Sequence, residues 1–309
     1  MAKGASLFHS PKQSDASMPA EAPRSRSFWE DALRSLLRDK LTVLSMSVLL
    51  LLTIGCIVLP PLVEDWTGFD SNSTNVLDRY AAPGENKHLL GADQLGRDQL
   101  IRLLYGGRVS FGIAYLASFL SITIGVIVGI LAGYYGGVLD EFIMWIINTL
   151  ASIPQLFLLI LVSTIFSASP AVLVIILGVL GWITSCRLVR GEVIALRERD
   201  YILAAHAMGA PAWRIAIFHL FPNVLPLIIV ALTINAGTLI LIESGLSFLG
   251  LGVQPPIPSW GNMLTTARTY FVTGPHLVVW PGMLITVTVL CFYLVGDGLR
   301  DALDPWIRR

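Results

Sequence analysis

Charge is scarce in this chain. Of its 309 residues only 14% are charged, the 21 basic and 21 acidic side chains cancel, 54% are hydrophobic, and the mean hydropathy is +0.70. A water-soluble globule of this size needs more polar surface, so the composition assigns the chain to a bilayer. Zero net charge and the lack of a basic patch interleaved with aromatics exclude nucleic acid as a partner. Cysteine is nearly absent: Cys56, Cys186 and Cys291 lie in apolar segments without metal-ligand spacing, which excludes a disulfide framework or zinc site and leaves them as packing residues. No Walker A sequence, HExxH or Ser/His/Asp grouping occurs either. Neither catalysis nor a directly bound metal or cofactor is therefore expected here.

What the chain has is long apolar runs. Residues 1–27, rich in Ser, Pro and Ala, are expected to be a disordered tail. From Phe28 to Lys40 the pattern is an amphipathic helix, with Trp29, Leu33, Leu36 and Leu37 on one side and Arg34 and Arg38 toward the other, suited to a membrane surface. The first apolar run ends at Pro60 and Pro61 with no small-residue cleavage site, so it reads as a retained anchor and not a secretory signal. A hydrocarbon core of about 30 Å takes about 20 helical residues. Six stretches qualify, near 41–62, 109–134, 139–166, 170–187, 223–247 and 277–297. The expected organisation is a tail (1–27), an interfacial helix with the first span and an outer loop (28–108), and a core of five spans (109–309).

Lysine and arginine counts orient the spans. With the N-terminus inside, seven fall in the tail, five between Arg187 and Arg214 and three at the C-terminus, against six outside. Both termini are thus expected in the cytoplasm. Arg97, Arg102 and Arg108 on the outer side and Asp140 and Glu141 in a tight inner loop run against this, but Arg24, Arg26, Arg34, Arg38 and Lys40 precede the first span, which usually dominates.

Small and polar residues inside the spans mark contacts. Gly125, Gly129 and Gly133 form a stripe for close helix approach, either within this chain or across to a second subunit. An interfacial helix is expected to start near Asp98, ahead of the second span, offering Leu100, Leu103 and Leu104 to lipid or bundle. Asn148, Ser152 and Gln155 fall at helical spacing beside Pro154, and the fifth span offers Thr233, Asn235 and Thr238. These faces either line a water-filled route or hydrogen-bond between helices.

Two blocks are more specific. In Tyr201–Asn223, Asp200 is placed to cap a helix carrying Tyr201, Ala205 and Met208 on one face, Gly209 suits a left-handed helix end, and Pro211 suits the first turn of a second helix. The result is a rigid elbow. In Glu243–Met263, Pro255, Pro256 and Pro258 with Gly245, Gly250, Gly252 and Gly261 forbid a continuous helix and require an ordered outer loop. Glu243, acidic within a span, is either functional or paired, or it snorkels or caps nearby amides.

The elbow resembles the EAA loop of ABC importer permeases, with Ala204 and Ala205 standing for the two alanines and Gly209 for the glycine. Leu203 stands where the general pattern is acidic, and His219 and Phe221 where it has apolar residues before Pro222. The LSFLGLG run followed by PSWG, including Ser247 and Trp260, is similar to the outer loop of peptide and nickel importer permeases. The ending from Gly296 to Arg309 is like that of dipeptide and oligopeptide C-type subunits. Its Asp297, Arg300, Asp301 and Asp304 are expected to form an inner salt-bridge cluster.

The resemblance implies an all-α integral membrane protein of six spans with a cytoplasmic coupling loop, the permease of a type I-like importer. It implies a homologous B-type permease, two ABC ATPase subunits that bind ATP and Mg, and an extracytoplasmic solute-binding protein as partners. Tyr201, Leu203, Ala204, Ala205, Met208 and Gly209 would dock the ATPase, and the outer loop would face the binding protein. Peptides are the implied solute, with nickel chelates or glutathione-like molecules as the alternative. An ion-coupled secondary transporter is the remaining rival, thinly supported by Glu243.

Overall fold

The computed structural model describes residues 28–166, 169–267, 269 and 271–303. The expected tail, Arg24, Arg26 and Asp304 lie outside them. Among the described residues the architecture is helical: α1 (Phe28–Arg38), α2 (Lys40–Thr67), α3 (Gln99–Tyr135), α4 (Gly137–Ala151), α5 (Gln155–Ile165), α6 (Pro170–Arg197), α7 (Asp200–Ala207), α8 (Ala212–Ile215), α9 (Phe221–Phe248), α10 (Trp260–Ala267) and α11 (His276–Leu303). Among the described residues five helical segments are long and apolar enough to cross a membrane, and α4 with α5 forms a pair bent by 83°.

Relative helix directions establish the sixth crossing. Gly125 of α3 faces Ser185 of α6 and Gly133 faces Val193, so α3 and α6 run parallel. A chain leaving α3 must therefore return to the opposite side before α6 begins. The intervening helices make that return: Asp140 meets Arg190, Asn148 meets Arg187, and Leu159 packs with Leu173, Ile176 and Leu177, antiparallel to α6. The 15 residues of α4 and 11 of α5 rise about 22 and about 16 Å. At that bend neither half covers about 30 Å alone, so both lie oblique and the break at 152–154 falls within the hydrocarbon depth.

This corrects the expected continuous third span. Pro154 has no N–H to donate and its ring crowds the preceding turn, so α4 ends at Ala151 and α5 starts afresh at Gln155. The helical spacing that put Asn148, Ser152 and Gln155 on one face does not apply across the break. A second correction concerns residues 99–108: the interfacial helix is no separate element but the first turns of the 37-residue α3. Gly106 and Gly107 do not break it because they sit where Trp260 and Cys56 approach the helix backbone. Likewise α2 continues through Pro60 and Pro61 to Thr67, and the fourth and sixth spans run on to Arg197 and Leu303.

The glycine stripe is used within the chain. Along α3 it meets Ser185, Cys186, Val189 and Val193, so α6 is the partner that the small residues admit. Around this pair, α9 crosses α3, α11 packs on α9 through Gly237 and Gly296, and α2 closes the bundle with Thr42 against Gly298. Asp39 caps α2 by accepting from the Leu41 and Thr42 amides, and the Thr42 hydroxyl holds its carboxyl below the ordinary range. The start of α2, the end of α11 and the α6–α9 elbow thus share one side. Among the described residues no ion pair joins Asp297, Arg300 and Asp301.

Candidate functional site

The elbow begins as α7 leaves α6. Asp200 does not cap α7; Arg199 holds the cap position and Asp200 lies in the first turn, where its charge complements the helix dipole. The far end closes as a Schellman motif. Ala210 N donates to Ala205 O at 3.1 Å and Gly209 N to His206 O at 2.9 Å, with Gly209 at φ +80°. No atom stands within 4 Å of where a Gly209 side chain would begin, so the backbone angle alone calls for glycine there. Pro211 precedes α8 as its N-cap, and a π turn at Ala216–Leu220 joins α8 to α9 without interruption.

Which side of α7 faces the bundle differs from the expected pattern. Ile202 and Ala205 are buried with Val189, Val193, Leu196, Ile215 and Leu220, whereas Tyr201, Leu203, Ala204 and Met208 point outward. Tyr201 and Met208 therefore do not share the face of Ala205, because the inward stripe is Ile202 with Ala205 three residues on. Met208 is 82% exposed and Leu203 55%, unusual for apolar side chains next to a packed cluster. A cleft of about 500 Å³ opens beside them, lined by Tyr134, Tyr135, Arg197, Glu198, Ile202, Leu203, His206 and Ala212. Arg197 anchors its far wall by donating to Gly133 O at 3.1 Å.

At the opposite end of the bundle Glu243 is fully buried and does not snorkel. Ser110 of α3 donates to its Oε2 at 3.1 Å and Ser247 of α9 to its Oε1 at 2.8 Å. Each serine oxygen then accepts a loop amide, Trp260 N at 3.3 Å and Val253 N at 3.1 Å. The carboxyl thereby fixes α3, α9 and the loop at 249–259 in one network. Trp260, also fully buried, donates its indole N–H to Leu103 O at 2.9 Å, and Asn262 bonds Ser259, Val253 and Ile257. Pro255 and Pro256, joined by a cis peptide bond, stay exposed on the loop's surface. Nearby, Asp98 caps α3 and lies 2.8 Å from Nδ1 of the buried His88, tying the segment between α2 and α3 to the same end.

The intramembrane polar residues divide into two sets. Asn235 donates to Ser121 Oγ at 3.2 Å, and the Thr238 hydroxyl donates to Ile234 O and lies 3.1 Å from the Tyr293 hydroxyl. Both thus engage neighbouring helices. Ser152 caps α4 and donates to Thr149 O, Gln155 opens α5, and both are exposed at the break. Asn148 accepts from Arg187 at 3.0 Å. Sequence reasoning missed Ser110, Ser121, Arg187 and Tyr293 as partners. Arg187 carried the one available signal, a charge directly following an apolar run of α6. Among the described residues no cluster of His, Cys, Asp and Glu is arranged to hold a metal ion.

Comparison with known proteins places this arrangement. The family described as "Binding-protein-dependent transport system inner membrane component" matches residues 125–309, and the "N-terminal TM domain of oligopeptide transport permease C" matches residues 27–83. The chain belongs to this permease family. The permease is 38% identical over 284 residues to the oligopeptide transport system permease protein OppC of Haemophilus influenzae, covering 91% of this chain and 89% of that one. It is 36% identical over 286 residues to the dipeptide transport system permease protein DppC of Bacillus subtilis, with 92% and 88% covered. The permease fold also matches a solved structure described as "Inward facing conformations of the MetNI methionine ABC transporter: CY5 native crystal form". That match has a TM-score of 0.53 at 23% identity and covers 66% of this chain and 97% of the other. The permease is therefore a multi-pass membrane protein of the ABC importer fold.

Proposed function

We propose that this permease forms half of the translocation pathway of an ATP-driven peptide importer and itself hydrolyses nothing. The observation that carries the reading is the elbow: a closed Schellman turn displaying Tyr201, Leu203, Ala204 and Met208 outward beside an apolar cleft. Such a lever needs a second protein to act on it. The proposed partners are two ABC ATPase subunits binding ATP and Mg, a B-type permease completing the pathway, and an extracytoplasmic solute-binding protein at the loop around Pro255, Pro256 and Trp260. With more Lys and Arg on the elbow side, that side and both termini are assigned to the cytoplasm. ATP-driven closure of the ATPases would move the elbow and exchange inward-facing for outward-facing states.

The peptide reading is supported by the relatives, whose names specify oligopeptides and dipeptides; nickel chelates and glutathione-like molecules are the competing class. The α4–α5 break supports a wet route, since irregular backbone at hydrocarbon depth is tolerated only in protein or against water. The deciding experiment is uptake into proteoliposomes holding the assembled complex. Uptake of a peptide that needs ATP, both ATPases and the binding protein is expected. ATP-independent uptake driven by an ion gradient would assign a secondary transporter instead.

A further inference from the structure

Two arginines one turn apart on α6 reach across to α4 and meet different partners. Arg190 donates Nη2 to Asp140 Oδ2 at 2.6 Å, and its charge is neutralised within the chain. Arg187 donates Nη2 to Asn148 Oδ1 at 3.0 Å. An amide orients a guanidinium but leaves its charge uncompensated, and among the described residues no carboxylate lies within 4.0 Å of Arg187. The side chain is exposed. It stands at the end of the apolar run 170–186 of α6, one turn before Arg190. Asn148 lies one turn before Ser152, so the free charge sits beside the exposed break. A cation at that boundary, exposed and without a carboxylate, is open to water and to an incoming anion.

We propose that Arg187, oriented by Asn148, is a binding station for a carboxylate of the translocated solute. Asn148 takes only one of the two Nη2 hydrogens, so a whole edge of the guanidinium, the second Nη2 hydrogen with either Nε–H or Nη1–H, remains as a planar fork that matches a carboxylate in a way that a lysine ammonium does not. Asp140 occupies the neighbouring Arg190, so the pair separates a structural cation from an available one. This assignment rests on the reading of the chain as a peptide permease, and it adds that the pathway itself recognises the anionic end of the peptide.

The test uses the complete complex in proteoliposomes and a pentapeptide with a free C-terminal carboxylate beside its C-terminal amide, each saturating the binding protein. Wild type is expected to move the free acid faster. Arg187→Gln is expected to lower free-acid uptake about tenfold or more and leave amide uptake unchanged. Arg187→Lys, keeping the charge and losing the fork, retains part of the preference, and Asn148→Leu weakens it. Basal ATP hydrolysis by each variant complex reports assembly. Equal loss for both peptides, or none for either, would overturn the assignment and point to an acidic residue of a partner chain. Loss of the wild-type preference in vesicles lacking anionic lipid would also overturn it, in favour of a lipid phosphate. If wild type takes up neither peptide, the peptide reading falls and the assignment with it, whereas failure confined to the variants overturns only the latter.

Discussion

Gly129 of α3 lies so close to Cys186 of α6 that a β-carbon on it would stand 2.8 Å from the Cys186 carbonyl oxygen. The two backbones touch, and no side chain fits between them. Gly129→Val is therefore expected to lower stability by about 1–3 kcal/mol through overpacking, read as a fall in the detergent-solubilised melting temperature. Gly112, with nothing within 4 Å of an added β-carbon, provides the contrast. Gly112→Ala should leave the melting temperature unchanged or raise it.

At Gly209 the constraint is conformational. Its φ of +80° costs a β-branched residue roughly 1–2 kcal/mol, while open space surrounds it. Gly209→Val is expected to leave insertion intact and reduce coupling of ATP hydrolysis to uptake, whereas Gly209→Asn, which tolerates a left-handed angle, should keep most of it. Equal uptake in both variants would remove the elbow from the coupling path.

Glu243 accepts from two serines that in turn accept loop amides. Glu243→Ala leaves buried hydroxyls without an acceptor and should cost about 1–3 kcal/mol, with proteolysis appearing first in the loop at 250–259. Combined with Ser110→Ala the losses should be less than additive, because both substitutions cut the same chain of bonds. Strict additivity in the double-mutant cycle would dissolve the network.

For sidedness, single cysteines belong where the side chains are exposed. Val272 and Met208 qualify at opposite ends, and Ser259, being fully buried, does not. In intact cells a membrane-impermeant thiol reagent is expected to label a cysteine at Val272, and one at Met208 only after permeabilisation. The reverse pattern would invert the proposed topology.

Cysteines at Ser152 and Gln155, exposed at the α4–α5 break, should react with a small hydrophilic reagent in the assembled complex, at rates that change with ATP and binding protein. A cysteine at Ala236, buried in the bundle, should stay protected throughout. Protection of all three in every nucleotide state would mean that a partner chain, and not water, covers the break.

Much of this architecture could be read from the residues alone because local rules govern it. Apolar length located the crossings, Asp98 marked the start of α3, and Gly209 marked the end of α7. Misreadings arose where distant residues decide. Pro60 and Pro61 looked like a stop, yet α2 runs through them, whereas Pro154 breaks its span; the sequence around a proline does not say which. The inward stripe of α7 depends on Ile215 and Leu220, which reach it only after the chain has turned. The Ser110 hydroxyl meets Glu243 across 133 positions, and no periodicity carries that information.

Ala212–Phe248 is one continuous 37-residue helical segment that includes the π turn at Ala216–Leu220, with the elbow at its root and the Glu243 carboxyl near its tip. At 1.5 Å per residue it measures about 55 Å, and a tilt of about 5° at the root swings the tip by about 5 Å. That travel exceeds the 3.1 Å reach of the Ser110 bond to Glu243. The tip therefore cannot swing away from α3 while that bond holds: either the outer ends of α3, α9 and the loop ride together like a hinged panel, or the bond must let go at each stroke.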